Sequence, residues 1–492
     1  MNFLLLITFL LLFFLILDFI KKNKIIKSNS PPGPINYPLI GNLHLLGSNP
    51  HRGLRNNISD KYGPIVGCYL GDKYTIILSD SKFVNEIYIK KFRKFCSRPH
   101  NPTFTMFSGG YKDLAFSDNF DDWRRIRSLI GVHFTKSRLN NTIYSYIEDQ
   151  TKLLIKSMKQ FEINSTPFFP QKYYFKLSLN VICKLFFSVE VLPKETVDKS
   201  QIERLSVPLQ KISRKLGAGH PDDFISLLSP LFYFSKKNYE KHVHSCLSFI
   251  SEIYDSHLTN LDRENPRDLM DILIIETEGD RKEVVHTAFN FLLGGSDSSS
   301  GTKEFFSLYM INYPDIQEKA YKEIIDVMGN DCKFIGYKDK TNLPFLSACV
   351  NEVLRLNPED PLGLPRKAVE DIEIFGYFIP KGAQIIHNIY AVGTNPDVFT
   401  DRDKFKPERW VDCSDVKKAL MLNSFMPFSI GQRSCIGKNL SEIDIFVGCA
   451  NLLLNYKMEP YEGIKLNEVE EFGVTIHPKE YSIKLTSRKK FN

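Results

Sequence analysis

Nine cysteines stand in this chain of 492 residues, an odd number that cannot all pair and too few for a disulfide scaffold at this length. They read as reduced thiols in a cytosol-facing body, with at least one left over for chemistry. The most informative surroundings belong to Cys435, in Phe428-Ser429-Ile430-Gly431-Gln432-Arg433-Ser434-Cys435-Ile436-Gly437. A lone cysteine is ordinarily a small buried hydrophobe. Here Gly431 permits a tight turn, Gly437 permits a flat ligand to approach a helix start, and Arg433 offers a fixed cation for a carboxylate. Backbone amides at that helix start lower a thiol pKa and favour the anionic, metal-ligating form. A second unusual string is Gly294-Gly295-Ser296-Asp297-Ser298-Ser299-Ser300-Gly301. Inside a helix each glycine costs about 1 kcal/mol relative to alanine, and serines compete for backbone bonds. A helix that breaks local rules in mid-span predicts a functional distortion there.

These residues must be positioned by a large core. The chain is 43% hydrophobic and 25% charged, with 38 Phe and 22 Tyr, which excludes disorder. Length alone suggests about three domains, but no repeat, low-complexity tract or internal linker divides the body. A net charge of +7 is too small for a dedicated nucleic-acid binder, and none is expected as a partner. Asp280 with Glu283 three residues on is a capping-box start, and the apolar-periodic run continues until Pro314, a helix of roughly 33 residues and about 50 Å. A further helix is predicted over Leu343–Leu356, ended by Asn357-Pro358, and a last one from Lys438 to Asn455. Ile65–Leu70 and Tyr74–Leu78 flank a hairpin turn, and Ile372–Ile379 turns near Gly376. Thr394–Phe428 reads as a long irregular segment. The fold class is mainly α with small β-sheets, α+β.

Residues 1–20 read as a transmembrane anchor. Phe3–Ile20 is apolar except for Thr8 and Asp18, long enough to span roughly 27 Å of a hydrocarbon core about 30 Å thick. No basic residue precedes it and no cleavage pattern follows, so a signal peptide fits less well. Lys21, Lys22, Lys24 and Lys27 place the flank on the cytosolic side, and the sequons at Asn57, Asn140 and Asn164 should then carry no glycan. Residues 21–34 form a basic, proline-rich hinge through Pro31-Pro32-Gly33-Pro34. Residues 35–492 form one catalytic domain facing the cytosol.

The pattern F-x-x-G-x-R-x-C-x-G, met at every fixed position by Phe428, Gly431, Arg433, Cys435 and Gly437, resembles the haem-binding loop of the cytochrome P-450 haem-thiolate monooxygenases of the membrane-anchored microsomal type. The resemblance implies the cytochrome P-450 fold. Haem b (iron protoporphyrin IX) is expected between the long central helix and the Cys-ligand loop with the final helix, with Cys435 as axial iron ligand. The family's E-x-x-R pair falls on Glu352 and Arg355, on one face of an apolar helix, whereas Glu264/Arg267 and Glu278/Arg281 enclose Pro266 and Gly279. Pro407-Glu408-Arg409-Trp410 resembles the family's P-E-R-F stretch and makes Arg409 the third member of a structural triad. Trp123 and Arg127 match W-x-x-x-R and would share a helical face toward a haem propionate, with Arg366 as a further partner. His100 and His387 stay outside this set. The Gly/Ser string corresponds to the family's oxygen-activating groove, in which Asp297 and Ser298 would relay protons. Serine replaces the usual threonine there, and the missing methyl loosens its rotamer.

The implied activity is insertion of one oxygen atom of O2 into a small apolar substrate. Two electrons would come from NADPH through NADPH–cytochrome P-450 reductase on the endoplasmic reticulum, with cytochrome b5 as a further partner. Arg124, Arg125 and Lys438 could form the reductase dock or be solvated charges. By analogy the substrate pocket draws on 103–116, 205–218, 288–292, 361–364 and 472–475. An isomerase or dehydratase acting on hydroperoxides without a redox partner is the alternative, disfavoured by the retained acid–alcohol pair. A non-enzymatic haem protein is the third reading.

Overall fold

The computed structural model describes residues 2–24, 27–189, 203–216 and 219–488. Its axis is the helix Arg281–Asn312, which opens on Asp280, whose carboxylate accepts from the Glu283 amide. Only half of the expected capping box forms. The Glu283 carboxylate accepts instead from Arg125 Nη2, at 2.6 Å to each oxygen. Almost every residue from Ser296 to Ile311 is buried, because this helix is enclosed by the helices Pro170–Phe187 and Lys438–Asn455 and by Pro344–Leu356.

The glycine- and serine-rich string does not break the helix, which runs as continuous α-helix through 281–312. No 3-10 or π turn interrupts it there. The hydroxyls of Ser296 and Ser298 donate back to the carbonyls of Leu292 and Gly294 at 2.6 and 2.7 Å, so they satisfy themselves within the helix. A Cβ on Gly295 would lie 2.5 Å from Ile182 Cδ1, so its missing side chain sets how closely the helix Pro170–Phe187 approaches. Two residues beyond the string, Lys303 is fully buried and donates to Asp444 Oδ2 at 2.6 Å and Ser178 Oγ at 2.9 Å. That single ammonium joins three helices.

The main sheet has the order Ile65–Leu70, Lys73–Leu78, Gln384–His387, Arg366–Lys367. Its first pair is an antiparallel hairpin turning at Gly71-Asp72, the second pairing is parallel and the third antiparallel. The predicted pair near Gly376 forms between Ile372–Ile374 and Tyr377–Ile379. The parallel partner from residue 384 onward was not legible, since a buried four-residue strand carries no periodicity. The segment Thr394–Phe428 is less irregular than expected: it holds a 3-10 turn at Pro407–Trp410 and a helix at Asp415–Ser424.

The amino-terminal helix runs from Asn2 to Asn23, and an 18-residue window of it has a mean hydropathy of 3.0 with no residue buried, the length and composition of a membrane span. It is tied to the body at its base. Asp18 accepts from the Leu39 amide at 2.7 Å and pairs with Lys22 at 2.7 Å, while Asn23 exchanges bonds with Asn36. Pro31–Pro34 is not a free hinge. Pro32 O accepts from the Gly67 amide at 2.9 Å, and a Cβ on Gly33 would collide with the Gly67 carbonyl, so this stretch is laid against the first strand.

Glu352, Arg355 and Arg409 meet in the core, all less than 7% exposed. Arg355 donates to both Glu352 oxygens at 2.9 and 2.7 Å, and Arg409 Nε donates to Oε1 at 2.9 Å. Trp410 Nε1 donates to Oε2 at 2.9 Å, a fourth member that sequence reasoning missed. The two rejected pairings are indeed elsewhere: Arg267 binds Asp271 and Arg281 binds Asp255. Removing the carboxylate would leave two buried guanidinium groups uncompensated. Glu352→Gln is expected to cost about 3–5 kcal/mol in urea unfolding, whereas Trp410→Phe, which removes one donor and no charge, should cost about 1–3 kcal/mol.

Candidate functional site

The loop ahead of the terminal helix is shaped by its own backbone. Gly431 has φ +76°, and a Cβ there would also collide with the Tyr88 carbonyl, so glycine is required twice over. The Cys435 amide then donates to Phe428 O at 2.9 Å and the Ser434 amide to Gly431 O at 3.0 Å. This presents the thiol on the wall of a cavity of about 330 Å3 between the loop and the central helix. Gly437, the N-cap of the terminal helix, lines the same cavity. A Cβ on it would make only ordinary contact, at 3.8 Å from Cys435 Sγ, so the protein itself leaves space there without needing it. Phe428 completes the loop's contribution to the wall.

The thiol pKa is raised, contrary to the expectation from the helix start. Burial raises it, and the amides of Gly437 and Lys438 with the Arg127 charge offset this only in part. A coordinated metal would deprotonate a ligating thiol outright.

Four arginines line the same cavity: Arg98, Arg127, Arg366 and Arg433. Arg127 Nη2 donates to Ser434 O at 2.7 Å and Arg433 Nη2 to Ser117 O at 2.6 Å. Arg433 lies 4.6 Å from the Trp123 ring centre, and Arg366 lies 3.4 Å from that of Tyr88. None of the four forms an ion pair with a carboxylate among the described residues. Buried atoms of two of them, Arg366 Nη1 and Arg433 Nε and Nη1, have no hydrogen-bond partner. Burial and then mutual repulsion push Arg433 down to about 8 and Arg98 to about 10, and burial pushes Arg366 to about 10. Such a cluster calls for anions. Arg98 was missed in the sequence, where Cys96-Ser97-Arg98-Pro99 carries no local mark of its position.

The other expected residues divide. Trp123 is buried and lines the cavity. His387 is buried with neither ring nitrogen bonded, and His100 bonds Asp118 at 2.6 Å; neither lines the cavity. Ser298 faces the cavity, but Asp297 does not. The Asp297 carboxylate accepts from Ser213 and Thr475 and pairs with His477 Nε2 at 3.0 Å. These partners outweigh burial and pull its pKa down to about 2, so it is an ionised anchor turned away from the space Ser298 borders. On the cavity wall are three carboxyls not anticipated: Asp444, which is paired with Lys303, and Glu359 and Asp360, within Asn357-Pro358-Glu359-Asp360-Pro361. Two acids bracketed by prolines beside an apolar helix were the available signal. Of the expected pocket segments, 205–216 contributes no lining residue, and 217–218 lies outside the described residues. Arg125 is engaged by Glu283, leaving Arg124 and Lys438 as the exposed basic residues of the supposed dock.

A cavity with a thiol on one wall, unpaired arginines at its margin and an apolar remainder including Leu114, Ile182, Phe291 and Val474 fits a flat metal-bearing macrocycle with acidic substituents. The family model for Cytochrome P450 matches residues 31–485. Probable cytochrome P450 519B1 of Dictyostelium discoideum is 39% identical, covering 99% of this chain and all of that one. Probable cytochrome P450 519E1 of the same organism is 38% identical, covering 98% and 99%. A zebrafish cytochrome P450 structure with progesterone superposes with a TM-score of 0.77 at 24% identity, covering 89% of this chain and 99% of that one. This chain belongs to the cytochrome P450 family, and it is a haem b-dependent monooxygenase.

The arginine cluster generates a test with haem present and absent. Arg433→Leu should release haem at least about tenfold faster in a transfer assay. The same change should raise the unfolding midpoint of the haem-free protein, because it removes a buried, unpaired charge. Calorimetry of the haem-free protein checks the second expectation.

Proposed function

We propose that Cys435 would ligate the haem iron as thiolate and that Arg98, Arg127, Arg366 and Arg433, with Trp123, would hold its propionates. The single observation that carries this reading is the set of unpaired buried guanidinium groups beside a cavity-facing thiol. When bound, haem supplies dioxygen activation and transfer of one oxygen atom to a C–H bond. The chain's own residues do the rest. The arginines neutralise the propionates, and Trp123 and Phe428 exclude water from the cavity margin. Ser298 holds a proton at Oγ on the cavity wall, resting on Gly294 O. Asp297 acts from behind. Its carboxylate fixes His477, Thr475 and Ser213 and so holds the central helix against the C-terminal strands.

The apolar wall suits a compact apolar substrate of sterol or terpenoid type, in keeping with the progesterone of the zebrafish structure. Electrons come from NADPH through a membrane-bound reductase, with cytochrome b5 as a second donor. The apolar helix Phe3–Asn23 anchors the protein in the endoplasmic reticulum with its body in the cytosol.

The reduced carbon monoxide complex should absorb at about 450 nm and lose that band in Cys435→Ala. A well-folded, haem-loaded wild type without it would refute thiolate ligation. Reversing Arg124 and Lys438 together should slow reduction by the reductase without altering that band, while equal reduction rates would exclude this docking face. Asn140 and Asn164 are exposed, so the cytosolic topology predicts no mobility change on deglycosylation of protein from a eukaryotic host.

A further inference from the structure

A second cavity lies behind the thiol-bearing loop. Its volume is about 130 Å3, roughly ten times the space that a single water needs. The helices Pro344–Leu356 and Lys438–Asn455 wall it on two sides, and the stretch 425–430 leading into the loop closes a third. Leu354, Pro427, Phe428, Ser429 and Ile445 border both this cavity and the larger one, so they form a shared wall.

Its lining is of two kinds. Val350, Met426 and Phe446 are buried and apolar. The charged residues are Lys340, Lys438 and Glu442, two ammonium groups against one carboxylate. Glu442 is already engaged: it lies 3.9 Å from Lys438 one turn away, and its Oε2 accepts from Tyr337 Oη at 3.4 Å. Lys340 is half-buried, and its ammonium has neither an ion pair nor a hydrogen bond among the described residues. It stands 5.4 Å from the ring centre of Tyr337, which compensates it only weakly. Burial, with repulsion from Lys136 and Lys438, outweighs the attraction of Glu442 and lowers its pKa. One positive charge is therefore in excess at the edge of an apolar recess.

We infer that this cavity binds a small carboxylate with an apolar body, its carboxylate on Lys340 and its body against Val350, Met426 and Phe446. The site is separate from the reaction cavity and takes a ligand of opposite charge to its excess. A monoanion balances that excess and accepts from the unpartnered ammonium. A hydrocarbon would fill the recess but leave Lys340 as it is. A single acidic side chain of a partner protein would reach Lys340 but leave the apolar floor bare. A molecule carrying both groups satisfies both parts of the lining.

The test is equilibrium dialysis of phenylacetate, phenylacetamide and acetate against the haem-loaded full-length protein, with 4-phenylimidazole first bound to the iron so that the reaction cavity is filled. The wild type should bind phenylacetate at least about tenfold more tightly than either of the others. Lys340→Met keeps the apolar stem and removes the charge. It should weaken phenylacetate at least about fivefold and leave phenylacetamide within about twofold. Glu442→Gln removes the competing carboxylate and should tighten phenylacetate about threefold, a change that damage to the fold would not produce. No preference for phenylacetate over its amide in the wild type, or the same preference in Lys340→Met, overturns the assignment. So does weaker phenylacetate binding in Glu442→Gln. Acetate bound as tightly as phenylacetate also overturns it, since the site would then be one for bare carboxylates such as a partner's side chains.

Discussion

The structure is organised by the cost of burying charge without a partner. A buried ion is tolerated only when another charge or several hydrogen bonds compensate it. Most of the deeply buried charges here meet that condition inside the chain. Glu352 holds Arg355 and Arg409, Asp444 holds Lys303, and His477 sits between Asp297 and Glu304. Apart from Glu352 and Arg355, which are three residues apart on one helix, these pairings join elements distant in sequence and help to fix their mutual placement. Arg366 and Arg433 at the cavity margin break the rule, since each keeps buried guanidinium nitrogens without a partner.

The central helix shows the same economy in its apolar contacts. Gly295 admits Ile182, and Gly301 makes room for the Glu359 carboxyl, so each missing side chain is replaced by a group from another element. Gly294 has no neighbour within 4 Å of where a Cβ would stand and opens onto the cavity. A run of residues that is poor for helix formation in isolation is thus retained because packing against neighbours outweighs the propensity cost of about 1 kcal/mol per glycine. The serines satisfy themselves by bonding one turn back, which is why the helix stays whole.

Legibility in the sequence followed the range of the interaction. Residues whose roles depend on close neighbours were found: Cys435 with Gly431 and Arg433, Glu352 with Arg355 at a spacing of three, Trp123 with Arg127 at a spacing of four. Arg409 is marked by its likeness to the family's P-E-R-F stretch, whereas the role of Trp410, its immediate neighbour, is not legible, because nothing in a tetrapeptide says where an indole N–H will point. Arg98 and Glu359 were missed because their neighbours come from segments far away: Ala115, Leu364 and Pro365 for the first, Thr302 and Ile476 for the second. Asp297 was found but misread, since its acid–alcohol spacing with Ser298 says nothing of His477, which lies 180 residues further on.

The sequence by itself determined the thiol-bearing loop, the long central helix, the apolar amino-terminal helix and the buried ion pair of the Pro344–Leu356 helix. All of these are written in local spacing, turn chemistry and periodicity, which act over a few residues. Only the tertiary structure decided which charges are compensated. It turned Asp297 away from the cavity, left four arginines without carboxylates and set Glu359 on the wall beside three other titratable groups. Compensation depends on distances between elements, and those are settled when the core closes.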